Sequence, residues 1–164
     1  MTDENPWYDT VVIPALLRGA RHTYGNVMRK ALEEADCDDI PDNGMYVIGG
    51  LAMATGVSPL STLVLALKAS KQAAGQLVDT LVLRGYLKRE ADEEDRRRFT
   101  VKLTERGWHA AAVQREERER IDAELTKRVG ADTVAAARKT LGALIEIGRP
   151  PEAKSSRRVV EDDA

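Results

Sequence analysis

Cysteine, histidine and aromatic residues are all scarce in this 164-residue chain, and each scarcity removes a class of explanation. The one cysteine, Cys37, cannot close an intrachain disulfide, so a disulfide scaffold is excluded and a reducing, cytoplasmic setting is expected. Two histidines, His22 and His109, with no His/Cys/Asp cluster at ligand spacing, give no reason to expect a metal site or a cofactor. Aromatics make up 4% of the residues while alanine and leucine abound, which favours helices packed on helices. No apolar run approaches the roughly 20 residues of a membrane span. The acidic, polar stretch Met1 to Asn5 does not read as a signal peptide. There is no plausible catalytic triad, phosphate-binding loop or pair of facing carboxylates, so an enzyme is not expected.

Helical periodicity dominates what is present. From Val11 to Ala35, residues such as Ile13, Leu16, Leu17, Tyr24, Val27 and Leu32 keep a three-to-four spacing, with Pro14 in the first turn, where no N–H is needed. Asp36 to Asn43 reads as a polar turn, Gly44 to Ala54 as a second helix, Gly56 to Pro59 as a break and Leu60 to Leu67 as a short third helix. A long helix from Thr104 to Val129 has a middle, Gln114 to Arg120, without one apolar residue. That stretch is expected to be solvated on most sides. Ile121, Leu125 and Val129 then resume a stripe, Gly130 breaks it, and Asp132 to Ile147 forms the last helix. Arg149 to Ala164, with Pro150, Pro151 and two charge clusters, is expected to be a disordered tail.

The most informative stretch lies between, from Ser70 to Gly107. Ser70 to Arg84 is a helical pattern closed by Gly85; two strand-like runs follow, Tyr86 to Glu90 and Phe99 to Leu103. Between them is a loop of four acids and then Arg96, Arg97 and Arg98, and Thr104 offers the next N-cap. Helix, strand, basic tip, strand, helix is the order of a winged helix-turn-helix, with Ser70 to Arg84 as the recognition helix. The net charge of −2 is unevenly spread: residues 68–106 hold ten basic and seven acidic side chains, residues 1–67 four and nine. The basic surplus falls where a duplex would be read. Ser70, Lys71, Gln72 and Gln76 are the base- and phosphate-facing candidates. Glutamine can pair bidentately with adenine, lysine can reach guanine or phosphate, and serine can read an edge or cap the helix. Arginines at a hairpin tip suit the negative minor groove. Alternation places Arg96 and Arg98 on one strand face, so only some of the three can point at the groove.

Several motifs in this stretch occur in a familiar order: Ser70-Lys71, Leu77-Val78-Asp79, Arg84-Gly85-Tyr86, Asp92 to Arg97, and Leu103-Thr104-Glu105-Arg106-Gly107. Together they resemble the winged-helix regulators of the multiple-antibiotic-resistance (MarR) type. The resemblance implies a mainly α fold with a small β-wing, a homodimer built from terminal helices, and a regulator, commonly a repressor, that binds a palindromic duplex. It also implies that Asp95 supports the wing by pairing with Arg96 or Arg97 rather than touching DNA. The family often carries an arginine where Gln76 stands. Many relatives bind phenolic or other aromatic effectors in a cavity between the helical and winged parts, to which Tyr24, Tyr46 and Trp108 could contribute here. Some relatives sense peroxide with a cysteine near the start of the first helix. Cys37 instead follows that helix among Asp36, Asp38 and Asp39, whose charge disfavours a thiolate, so an incidental thiol is expected.

The expected organisation is a helical dimerisation region, residues 1–40 and 107–148, around a winged helix-turn-helix, residues 41–106, with the tail at 149–164. The first helix, the far half of the fifth and the sixth are not expected to bury their stripes on the small winged part, so a second copy of the chain is the economical cover. A protein-interaction module that reuses the winged fold without reading sequence is the alternative. The basic tip and the small-residue start of the recognition helix favour double-stranded DNA; an acidic or apolar recognition face would favour the alternative.

Overall fold

The computed structural model describes residues 6–67, 70–91 and 99–149. After a 3-10 turn at Trp7–Thr10 come α1 (Ile13–Glu34), α2 (Gly44–Met53), β1 (Val57–Pro59), α3 (Leu60–Ala66), α4 (Lys71–Leu83), β2 (Leu87–Ala91), β3 (Phe99–Leu103), α5 (Glu105–Val129) and α6 (Ala131–Ile147). This is the mainly helical fold with a small wing sheet that the sequence implies. Its helix ends follow local chemistry. Ser70 caps α4 by accepting from the Ala73 N–H at 3.1 Å, and Thr104 does the same for α5, accepting from the Gly107 N–H at 3.1 Å. At its far end α4 closes with a Schellman turn: Gly85 N–H donates to Val82 O, Tyr86 N–H donates to Leu81 O, and Gly85 has φ +78°.

The sheet is antiparallel, in the order β1-β3-β2. Its first strand differs from expectation. Val57 to Pro59, read as part of a break, is a strand whose residues pair with Lys102, Val101 and Thr100. Three residues ending in proline carry no strand signal of their own; the partner that makes them a strand lies more than forty residues away.

Leu32, Ile48, Leu51, Leu63, Val78, Leu81, Tyr86, Leu87, Val101, Leu103 and Ala110 form one buried cluster beneath the helix-turn-helix. Gly107 lets α5 reach it. A Cβ there would lie 2.2 Å from the Tyr86 carbonyl oxygen, a distance that real side chains do not tolerate. One expectation is corrected here. The last turns of α1 do find intrachain cover: Met28 and Leu32 are buried, whereas Val12 and Ile13 at its start are 68% and 61% exposed. The stretch from Gln114 to Arg120 is solvated on most sides, as expected, but it starts at a residue, Gln114, that is only 2% exposed. Its carboxamide lies against α2 at Gly49, where an added Cβ would meet Oε1 at 3.1 Å. Burial of a helical residue is set by what packs against it, and the glycine on α2 could not be connected to Gln114 from sequence.

By contact the chain divides into two compact units, one ending at Arg120 and one beginning at Ile121. In the second, no described residue of α6 is buried, and Leu125, Val129, Leu141, Leu144 and Ile145 are each at least 40% exposed. Arg138 and Asp122 join its two helices at 3.3 Å.

Candidate nucleic-acid interface

The polarity of α4 is sorted by face. Ala74, Val78 and Leu81 are buried, and Ser70, Lys71, Gln72 and Gln76 are exposed on the opposite side. The four candidate readers therefore fall together at the N-terminal half of one helix, free of the core. Ala73, between them, is also exposed and adds no bulk that would hold a duplex away. Arg96, Arg97, Arg98 and the supporting Asp95 lie outside the described residues, so only the root of the wing is described.

That root is organised by strand alternation. Leu87, Val101 and Leu103 face the core. Arg89, in phase with Leu87, reaches back to α4 and pairs with Asp79 at 2.8 Å. Sequence reasoning missed this pair, although Asp79 stands in a motif; nothing local connects it to a strand ten residues on. On the other face Glu90 sits between Lys102 and Lys88, the latter at 2.9 Å. Hydrogen bonds from Lys102 first, then Lys88, hold the Glu90 carboxyl below the usual glutamate range.

Tyr24 and Tyr46 come together and Trp108 does not join them. The two tyrosines line a cleft of about 390 Å³ with Met28, Met45, Gln114 and Arg118. Arg21 crosses its wall, its guanidinium 4.5 Å from the Tyr46 ring centroid and its Nε donating to the Tyr46 hydroxyl at 3.0 Å. Inside, the buried Gln114 Nε2 has no hydrogen-bond partner. Arg21 and Tyr46 also border a second cleft of about 410 Å³, beneath Ala73, Ala74 and Leu77 at the start of α4. Trp108 instead lies over Gly56, whose added Cβ would stand 2.3 Å from Trp108 Cζ2. Cys37 is buried at 2% exposure. Among the described residues no group of three or more His, Cys, Asp or Glu could hold a metal ion, and no helix is long and apolar enough to cross a membrane.

A capped recognition helix, a β1-β3-β2 wing sheet and a short helix before the turn define a winged helix-turn-helix protein. The sequence profile of the MarR family matches residues 38–98. Solved structures agree in fold. MarR from E. coli in its apo form is 22% identical over 82% of this chain and 96% of that one, with a TM-score of 0.61. A cysteine-to-serine variant of the same protein in complex with operator DNA is 21% identical, covers 85% and 98%, and has a TM-score of 0.66. FabT from Streptococcus pneumoniae in complex with DNA is 18% identical, covers 82% and 94%, and has a TM-score of 0.72. No curated protein sequence matches the chain. The chain therefore has the winged helix-turn-helix fold, and its residues 38–98 are similar to the MarR family.

Proposed function

We propose that the protein is a homodimeric transcription regulator that binds a palindromic operator in double-stranded DNA and represses until a small molecule releases it. One observation carries the DNA reading: the N-terminal half of α4 presents Ser70, Lys71, Gln72 and Gln76 together on an exposed face that the core does not use. In this reading Gln72 and Gln76 read base edges, Lys71 and Ser70 contact edges or phosphates, and Arg96 to Arg98 enter the minor groove with Asp95 steadying them. Two similar folds were solved with DNA bound, which supports the same use here.

The dimer is assigned to residues 1–40 and 107–148, less the part of α1 and the start of α5 that serve the chain's own core. The exposed apolar residues of α5 and α6, with Val12 and Ile13, are the surface it would bury. The effector is assigned to the cleft of Tyr24, Tyr46 and Gln114, an apolar recess with one unsatisfied donor, of the size that small ligands occupy. Selection of duplexes from random or genomic sequence tests the core of the proposal. A recovered palindrome bound with steep salt dependence is the expected result; failure to enrich any sequence at low salt would remove the DNA reading.

A further inference from the structure

Three helix ends meet at one polar cluster. The turn that closes α1 supplies Asp36 and Asp39, the C-cap of α4 is Arg84, and the first turn of α5 carries Arg106. Arg106, on the third, reaches the other two. Its Nη1 donates to the Arg84 carbonyl at 2.6 Å, and its Nη2 donates to the Asp39 carboxylate at 3.1 Å and the Asp36 carbonyl at 3.3 Å. Its guanidinium lies 4.3 Å from the centroid of the Tyr86 ring. Tyr86, fully buried, donates its hydroxyl to the Asp39 carboxylate, and Arg84 Nη1 donates to the Asp39 carbonyl.

These contacts join elements that would have different tasks. α4 is the recognition helix. α1 begins at the exposed Val12 and Ile13, and α5 runs on to the exposed Leu125 and Val129. On the dimer reading, both α1 and α5 lead to the partner copy. Core packing already holds these helices closely, and a planar guanidinium with three directed acceptors and a ring beneath it adds a directional tie between their ends.

We propose that Arg106 is the positioning residue that locks the recognition helix to α1 and α5, and so sets the distance and rotation between the two half-sites that the dimer accepts. The inference rests on the paired half-site reading above. Inserting one base pair between half-sites turns one of them by about 34° relative to the other. A dimer with rigidly held recognition helices cannot follow, and one whose helices have come loose can.

The test measures fluorescence anisotropy on labelled duplexes: the palindrome recovered by selection, the same palindrome with one base pair inserted or removed at its centre, and an isolated half-site. Wild-type protein should lose about tenfold or more on either altered spacing. Arg106→Gln should bind the half-site within about twofold of wild type and lose less than about threefold across spacings. Arg106→Lys, which keeps the charge but not the planar fork, should fall between. Asp39→Asn, which keeps an acceptor for Arg106 but removes the charge, should also fall between, and supplies the test if Arg106→Gln melts before it can be assayed. Variants that discriminate spacing as sharply as wild type overturn the proposal, as does equal loss on half-site and palindrome, which would make the cluster merely structural. Wild-type protein indifferent to spacing overturns the paired half-site reading itself, and the inference falls with it.

Discussion

On the proposed reading, single side chains divide the work between reading and holding. Gln72 and Gln76 lie one turn apart on the exposed face of α4, where each can make the two hydrogen bonds that adenine offers in the major groove. Gln72→Ala or Gln76→Ala should cost about 1–3 kcal/mol on the selected operator for each base edge no longer read, and much less on scrambled DNA. Equal losses on both duplexes would move the reading to Lys71 or to DNA shape. Gln114 is a different kind of residue, a buried donor with nothing to donate to. An unsatisfied buried amide is costly, so Gln114→Leu should stabilise the ligand-free protein by about 1 kcal/mol in urea denaturation. If an effector supplies the missing acceptor, the same substitution should abolish effector-induced release from DNA while leaving DNA affinity intact. A variant that releases as wild type does would place the effector elsewhere.

At the scale of elements, the wing and its root depend on different forces. The root is held by packing so close that Gly107 has no room for a Cβ beside the Tyr86 carbonyl. Gly107→Ala should therefore push α5 off the sheet and lose about 1–3 kcal/mol or more of stability, measured by chemical denaturation. A near-neutral effect would show that α5 can shift without consequence. The tip is expected to act through charge. Arg96 and Arg97 changed together to alanine should weaken operator and non-specific binding alike. The slope of log K against log salt should fall by about 0.9 for each phosphate no longer neutralised. Wild-type affinity and slope in that double variant would reduce the loop to a solvated turn. At the root, the Asp79–Arg89 pair fastens α4 to β2.

For the whole molecule, assembly turns on Leu125, Val129, Leu141, Leu144 and Ile145, which the chain leaves exposed. A second copy is the expected cover, and sedimentation at micromolar concentration should show a stable dimer. An 18.1 kDa monomer throughout that range would sink the assembly, and with it the palindromic operator. Removing Arg149 to Ala164 should leave the dimer intact, since that segment carries little apolar surface to bury.

The sequence by itself determined the order of the helices and of β2 and β3, and the position of α4, because those depend on short-range chemistry. Ser70 and Thr104 are caps wherever a helix follows them, Gly85 closes α4 through its left-handed conformation, and the alternation from Leu87 to Ala91 and from Phe99 to Leu103 can be read residue by residue. Motif order made the family resemblance visible on the same grounds. Only the tertiary structure made Val57 to Pro59 a strand, buried Gln114 against Gly49, separated Trp108 from the two tyrosines, and gathered Asp39, Arg84, Tyr86 and Arg106 at one point. Each of those depends on contacts between residues far apart in the chain, and neither periodicity nor propensity says which distant residue will arrive.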